Sequence, residues 1–132
     1  MAASAERLLR VLIVDDNRDA ADSLATLCTI WGHEVRSAYN GSAIDMVPVF
    51  LPDVIVLDIA MPRINGNKMA QMVRAQEQFK NTLIIAVSGY QDEANRMLSR
   101  EAGIDHYLIK PVDPSVLQKL LTGKHMMLRL GQ

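Results

Sequence analysis

The sequence predicts a doubly wound α/β domain built on a parallel sheet. Two observations carry that reading. The runs VLIV (11–14), VIVL (54–57), LIIAV (83–87) and YLI (107–109) have the unbroken, largely β-branched apolar character of strands buried on both faces. Strand signals also alternate with helix-period segments five times along the chain, with no linker, repeat or low-complexity stretch between them.

The elements follow in order. After the first strand, Ala20, Ala21, Leu24, Leu27, Cys28 and Trp31 fall on one helical face, and Gly32 is the expected stop. His33 to Tyr39 is more polar, as an edge strand is. Gly41 to Phe50 predicts a short second helix, which Pro48 should end early or kink by removing a donor. The strand at Val54 to Leu57 leads through Met61, Pro62 and Gly66 to a third helix with Met69, Met72 and Val73 inward. The strand at Leu83 to Val87 precedes a fourth helix marked by Ala94, Leu98 and Ala102, with Gly103 as its C-terminal cap. His106 to Ile109 is the last strand. Asp113 and Pro114 then form an N-cap and first-position pair for a final helix packed through Val116, Leu117, Leu120 and Leu121.

Composition bounds the function. The chain has 132 residues, 49% of them hydrophobic, enough for one core without disulfide or structural metal. Cys28 is the only cysteine and reads as a packed small hydrophobe in a reducing cytoplasm. A net charge of −1 with no Lys/Arg cluster argues against direct nucleic-acid binding. Neither a signal peptide nor a membrane-inserting segment is read. His33, His106 and His125 lack metal-ligand spacing and read as packing or surface residues.

Each apolar run stops at a polar residue: Asp15 and Asp16, Asp58, Ser88, and Lys110. Ligands bind beyond the carboxyl ends of the strands in such sheets, so three carboxylates, a hydroxyl and an ammonium would share one region. Two charges ~4 Å apart repel by about 4 kcal/mol at an effective dielectric near 20, so converging carboxylates call for a cation or a proton. Magnesium suits them, because it takes one or two carboxylates and completes its octahedron with water and phosphate oxygens. A helix N-cap is the plainer reading of Asp16 and Asn17, turn chemistry that of Ser88 and Gly89, and strand-end snorkelling that of Lys110. The acidic ends of two separate strands favour the shared site.

VLIVDDN (11–17), VIVLDIAMPRING (54–66), AVSG (86–89) and YLIKPVD (107–113) together resemble the receiver domain of two-component response regulators, in that family's order and over nearly the whole chain. The resemblance implies a flavodoxin-like, five-stranded parallel sheet in the order 2-1-3-4-5 and a single receiver domain over residues 1–132. Its core would span about 9–123, flanked by 1–8 and 124–132. It implies Asp58 as phosphoacceptor from a sensor histidine kinase or histidine phosphotransfer protein. Asp16 would hold magnesium (or manganese) directly, Asp15 chiefly through water, and the backbone carbonyl of Ala60 would add a ligand. Ser88 and Lys110 would hold phosphoryl oxygens, Tyr107 would be the aromatic switch, and the peptide before Pro111 would be cis.

The fourth helix, last strand and last helix would then present the face read by an unknown downstream protein, with a phosphorylation-dependent homodimer also allowed. The domain would catalyse its own phosphorylation and slow dephosphorylation without being a turnover enzyme. Two positions bear on rate: Ala60, second after Asp58, cannot orient a water, and Tyr90, second after Ser88, could cover the phosphate. Two other classes compete. A magnesium-dependent aspartyl-phosphate phosphohydrolase would need an acid or base where Ala60 stands, and a phosphate-independent module of the same fold would not need all five site residues. The apolar tail residues Met126, Met127, Leu128 and Leu130 read as an extension of the last helix, a partner contact or solvated disorder.

Overall fold

Strands that are apolar at every position can be covered only by helices on both sides of the sheet, and that is how the chain folds. The computed structural model describes residues 8–61, 65–89 and 93–131. Five parallel strands, β1 (Arg10–Val14), β2 (Glu34–Ala38), β3 (Val54–Asp58), β4 (Leu83–Ser88) and β5 (His106–Ile109), lie in the order β2-β1-β3-β4-β5. Five helices alternate with them: α1 (Arg18–Ile30), α2 (Ala43–Phe50), α3 (Gly66–Arg74), α4 (Glu93–Glu101) and α5 (Pro114–Leu130). Successive residues of a strand serve opposite cores. Val11, Ile13, Val54, Val56, Ile85 and Val87 pack with Ala21 and Cys28 of α1 and with Leu117 and Leu121 of α5. Leu12, Val14, Ile55, Leu57, Ile84 and Ala86 pack with α2, α3 and Ala102 after α4.

Local chemistry sets the helix ends. Asn17, Asn65 and Asp113 are extended N-caps whose side chains accept amide hydrogens of the first turns of α1, α3 and α5. At the far ends of α1 and α4, Gly32 and Gly103 take positive φ (100° and 96°). There the amides of His33 and Ile104 reach back to the carbonyls of Cys28 and Ser99, closing both helices with the left-handed cap that only glycine adopts without strain. Pro48 neither ends α2 early nor removes its last turn. The helix continues to Phe50 and stops at Leu51, whose amide still donates to the Val47 carbonyl while its φ of 57° turns the chain away.

Several inward assignments need correction. Met72 is 47% exposed, because α3 turns Gly66, Met69, Ala70 and Val73 to the sheet. On α4, Ala94 and Leu98 face solvent and the inward residue is Ser99. A serine at the contact line hid that face from a reading based on apolar spacing. Val116 is exposed beside the buried Leu117. β5 is only half-buried, since it is an edge strand bonded to β4 alone. The tail residues 126–130 extend α5, with Met126, Met127, Leu128 and Leu130 exposed along it.

Two features had no signature in the sequence. Arg74, at the end of α3, donates to the carbonyls of Gly103 (2.9 Å), Phe79 (3.0 Å) and Thr82 (2.6 Å) and to the Asp105 carboxylate (2.7 Å). It thereby ties the approach to β4 to the approach to β5. Gly123 lies within α5, where an added Cβ meets no heavy atom of the described residues within 4 Å. Gly123→Ala is therefore expected to stabilise the fold by roughly 0.8–1 kcal/mol, the helix-propensity difference, seen as a higher urea midpoint.

Burial perturbs two further groups. The Cys28 thiol is pushed up to about 11, so it stays protonated and serves packing. His33 is 7% exposed, its Nδ1 has no partner among the described residues, and burial, reinforced by His125, lowers its pKa below 6.5. Above that value the ring is neutral both folded and unfolded. As pH falls below it, the unfolded chain gains a proton that the folded chain resists, so stability is lost down through the folded pKa. Urea midpoints at about pH 7.5 and about pH 5.5 should differ more in the wild type than in His33→Phe. Equal differences would exclude His33 as the source.

Candidate functional site

The register of the sheet brings the strand ends together. Val14 stands beside Leu57, so Asp15 and Asp58 are each the next residue beyond a paired position on adjacent central strands. Asp58 is itself level with Val87, placing Ser88 one step further on β4. Ser88 is level with Ile109, and the Lys110 amide donates to the Ser88 carbonyl at 2.8 Å. The Lys110–Pro111 peptide is cis.

Asp15 and Asp58 are 4% and 5% exposed, whereas Asp16 is open to solvent. One carboxylate oxygen of each lies within 4.8 Å of the others. Backbone amides orient the two buried groups: Asn17 N–H donates to Asp15 Oδ1 at 3.0 Å, and Ala60 N–H to Asp58 Oδ1 at 2.9 Å. The second oxygens face Lys110, whose Nζ is 3.2 Å from Asp58 Oδ2 and 3.7 Å from Asp15 Oδ2. Asn17, and not Asp16, caps α1 by accepting from the Ala20 amide at 3.1 Å, which leaves Asp16 available to a ligand.

The electrostatics match this geometry. Burial raises the pKa of Asp15, and Asp58 adds to the rise, against the opposing pull of the Asn17 amide and Lys110. At Lys110 burial works against the charge, but Asp58 and Asp15 outweigh it and the pKa is raised, so the ammonium persists at neutral pH. Among the described residues Lys110 pairs with Asp15 and Asp58, and the Asp16 carboxylate stands beside them. That excess of negative charge, with hard oxygen donors and one member exposed, fits a small divalent cation such as magnesium.

The structure thus brings Asp15, Asp16, Asp58 and Lys110 into one cluster and sets Ala60 against Asp58. Ser88 is fully buried at the end of β4. Tyr107 lies outside the cluster, half-buried on β5, with the Arg96 guanidinium 5.1 Å from its ring centroid. Tyr90 and Pro62 fall outside the described residues. The sequence reading placed Gly66 in the loop before α3 and gave it no packing role; it is the first residue of that helix. An added Cβ there would come within 2.5 Å of Ile59 Cα, so this glycine lets α3 abut the chain carrying Asp58.

The family described as the response regulator receiver domain matches residues 11–122. Response regulator MprA of Mycobacterium avium is 32% identical over 122 residues, covering 92% of this chain and 51% of that protein. The chain spans about half the length of the relatives it matches. Among solved structures, the CheY-like receiver domain protein of Methanospirillum hungatei superposes with a TM-score of 0.84 at 27% identity, covering 93% of this chain and 98% of that one. Chemotaxis protein CheY4 of Vibrio cholerae gives 0.81 at 29% identity, covering 86% and 95%.

Proposed function

The chain belongs to the response regulator receiver domain family of two-component signalling, and from that premise we propose that Asp58 is its phosphoacceptor and that the whole chain forms one receiver domain. The observation that supports the assignment is the direct 3.2 Å approach of Lys110 Nζ to Asp58 Oδ2 beside two further carboxylates. Asp58 would attack a phosphohistidine on a sensor kinase or histidine phosphotransfer protein. An O–P bond forms on the carboxylate as the N–P bond breaks, and the imidazole leaves with a proton in place of phosphorus. The Ala60 amide holds one Asp58 oxygen and leaves the other to react. Lys110 neutralises phosphoryl oxygens, and Ser88 donates its hydroxyl to one of them. Magnesium or manganese would be held by Asp15, Asp16, Asp58 and the Ala60 carbonyl, and would supply charge neutralisation for the transfer.

The phosphoryl group adds charge and acceptor oxygens. Ser88 moves towards them, and Tyr107 follows into the space beside β5. The exposed face of α4, β5 and α5 changes with it, for an unidentified partner or a second copy. This is a signalling switch and not a turnover enzyme: Ala60 offers no carboxylate at the position where a phosphohydrolase needs its acid. Ala60 and Tyr90 would also leave the acyl phosphate poorly served by water, so self-dephosphorylation should be slow. A lifetime of seconds in magnesium would oppose that. Among the described residues no helix is long and apolar enough to cross a membrane, and we assign the domain to the cytoplasm, where such kinases present their histidines.

The test is incubation with histidine-phosphorylated donors, with and without magnesium, followed by mapping of the label. A magnesium-dependent, hydroxylamine-labile phosphoryl group on Asp58 is expected. Label on another residue, or labelling indifferent to chelation, would overturn the assignment.

A further inference from the structure

The contacts of α4 suggest what sets the balance of the switch. Tyr107 borders a cleft of about 320 Å³, whose walls include Arg96, Leu108, Val116 and Leu120. The ring packs against the core that holds Ala86, Ala102 and Ile104 and borders this open space as well. Polar contacts of α4 lie on both sides of the ring. On one side Ser99, 1% exposed, donates its hydroxyl to Asn67 Oδ1 at 2.9 Å. Asn67 follows Gly66, which rests on the backbone of Asp58 and Ile59, so this contact joins α4 to the chain bearing the phosphoacceptor. On the other side Arg96, one turn earlier, places its guanidinium 5.1 Å from the centroid of the Tyr107 ring, within the range of a cation–π attraction.

We propose that Arg96 is a positioning residue of the switch, a latch that favours the arrangement in which the Tyr107 ring lies beneath it and Lys110 pairs with the Asp58 carboxylate. This rests on the reading of Asp58 as phosphoacceptor and Tyr107 as the moving aromatic. When the ring turns towards Ser88 it leaves the guanidinium. The contact therefore exists in one state only, and only such differential contacts shift an equilibrium. By linkage, removing it must strengthen binding of whatever favours the other state. A half-exposed cation–π contact corresponds to about two- to five-fold in the equilibrium.

The test uses beryllofluoride with saturating magnesium as the probe, followed by fluorine NMR, and the Tyr107 ring resonance in protein without either ligand. Arg96→Ala should bind beryllofluoride about two- to five-fold more tightly. Its ligand-free Tyr107 signal should move towards the position that beryllofluoride produces in the wild type. Arg96→Gln should behave as Arg96→Ala while keeping most of the side-chain stem, and Arg96→Lys should return towards wild type. In a Tyr107→Leu background, Arg96→Ala should change nothing. Unchanged or weaker binding by both Arg96→Ala and Arg96→Gln, or an equal gain without Tyr107, would overturn the latch alone. Beryllofluoride binding that survives Asp58→Asn would overturn the phosphoacceptor reading and the latch with it.

Discussion

Asp58→Asn is expected to reduce phosphoryl labelling on the order of 10³-fold or more, to the floor of the assay, because an amide cannot serve as the attacking oxygen. The substitution is isosteric, and Asn Oδ1 can still accept the Ala60 amide that Asp58 Oδ1 accepts at 2.9 Å. At the other oxygen the 3.2 Å ion pair with Lys110 is lost, and the ammonium is left with Asp15 at 3.7 Å. Against that loss stands the relief of Asp15, whose pKa is raised by burial and further by the neighbouring charge of Asp58. The two effects oppose, so stability should stay within about 1 kcal/mol of wild type. Labelling and stability thus separate: phosphotransfer vanishes while the urea midpoint barely moves. Magnesium affinity should fall with the labelling, since one of three converging carboxylates is gone. Labelling of Asp58→Asn at the wild-type level would move the phosphoacceptor elsewhere.

How much of this was legible in the sequence depends on the kind of residue concerned. The strands were readable because positions such as Ile13 and Val56 are apolar for a single reason, burial between two helical layers. Asp15, Asp58, Ser88 and Lys110 were readable because a parallel sheet delivers all its strand ends to one side, so chain position alone predicted their convergence. Helix orientation was less legible. Ser99 faces inward on α4 while Leu98 stands 56% exposed, because the inner line of that helix is completed by a hydrogen bond to Asn67 and not by apolar area. The Arg74 clasp was invisible because its acceptors are mostly backbone carbonyls, which any residue supplies. The contact of Arg96 with Tyr107 joins two elements with no shared periodicity, and only the packing of α4 against β5 reveals it.

Gly66→Ala should be a strongly damaging single-methyl change. The new Cβ would lie 2.5 Å from Ile59 Cα, 2.9 Å from the Asp58 carbonyl oxygen and 3.0 Å from Ile59 Cγ2. The first two are backbone atoms of Ile59 and Asp58, so no side-chain rotation relieves the overlap. Nor can α3 simply withdraw, because Met69, Ala70 and Val73 anchor it in the core and Asn65 caps it through the amides of Asn67 and Lys68. Either the helix start or the chain at Ile59 must shift, at about 1–3 kcal/mol or more, the usual range for overpacking a tight contact. A shift at Ile59 carries Ala60 with it and loosens the amide that orients Asp58. Magnesium and beryllofluoride binding should therefore weaken beyond what partial unfolding explains, measured well below the melting temperature. Gly89→Ala is the matched control: it lies one residue beyond Ser88 at the same end of the sheet, yet its Cβ would meet no heavy atom of the described residues within 4 Å. Wild-type melting and magnesium affinity in Gly66→Ala would show that α3 does not bear on Asp58, and would remove the mechanical link from Asp58 through Asn67 and Ser99 to α4.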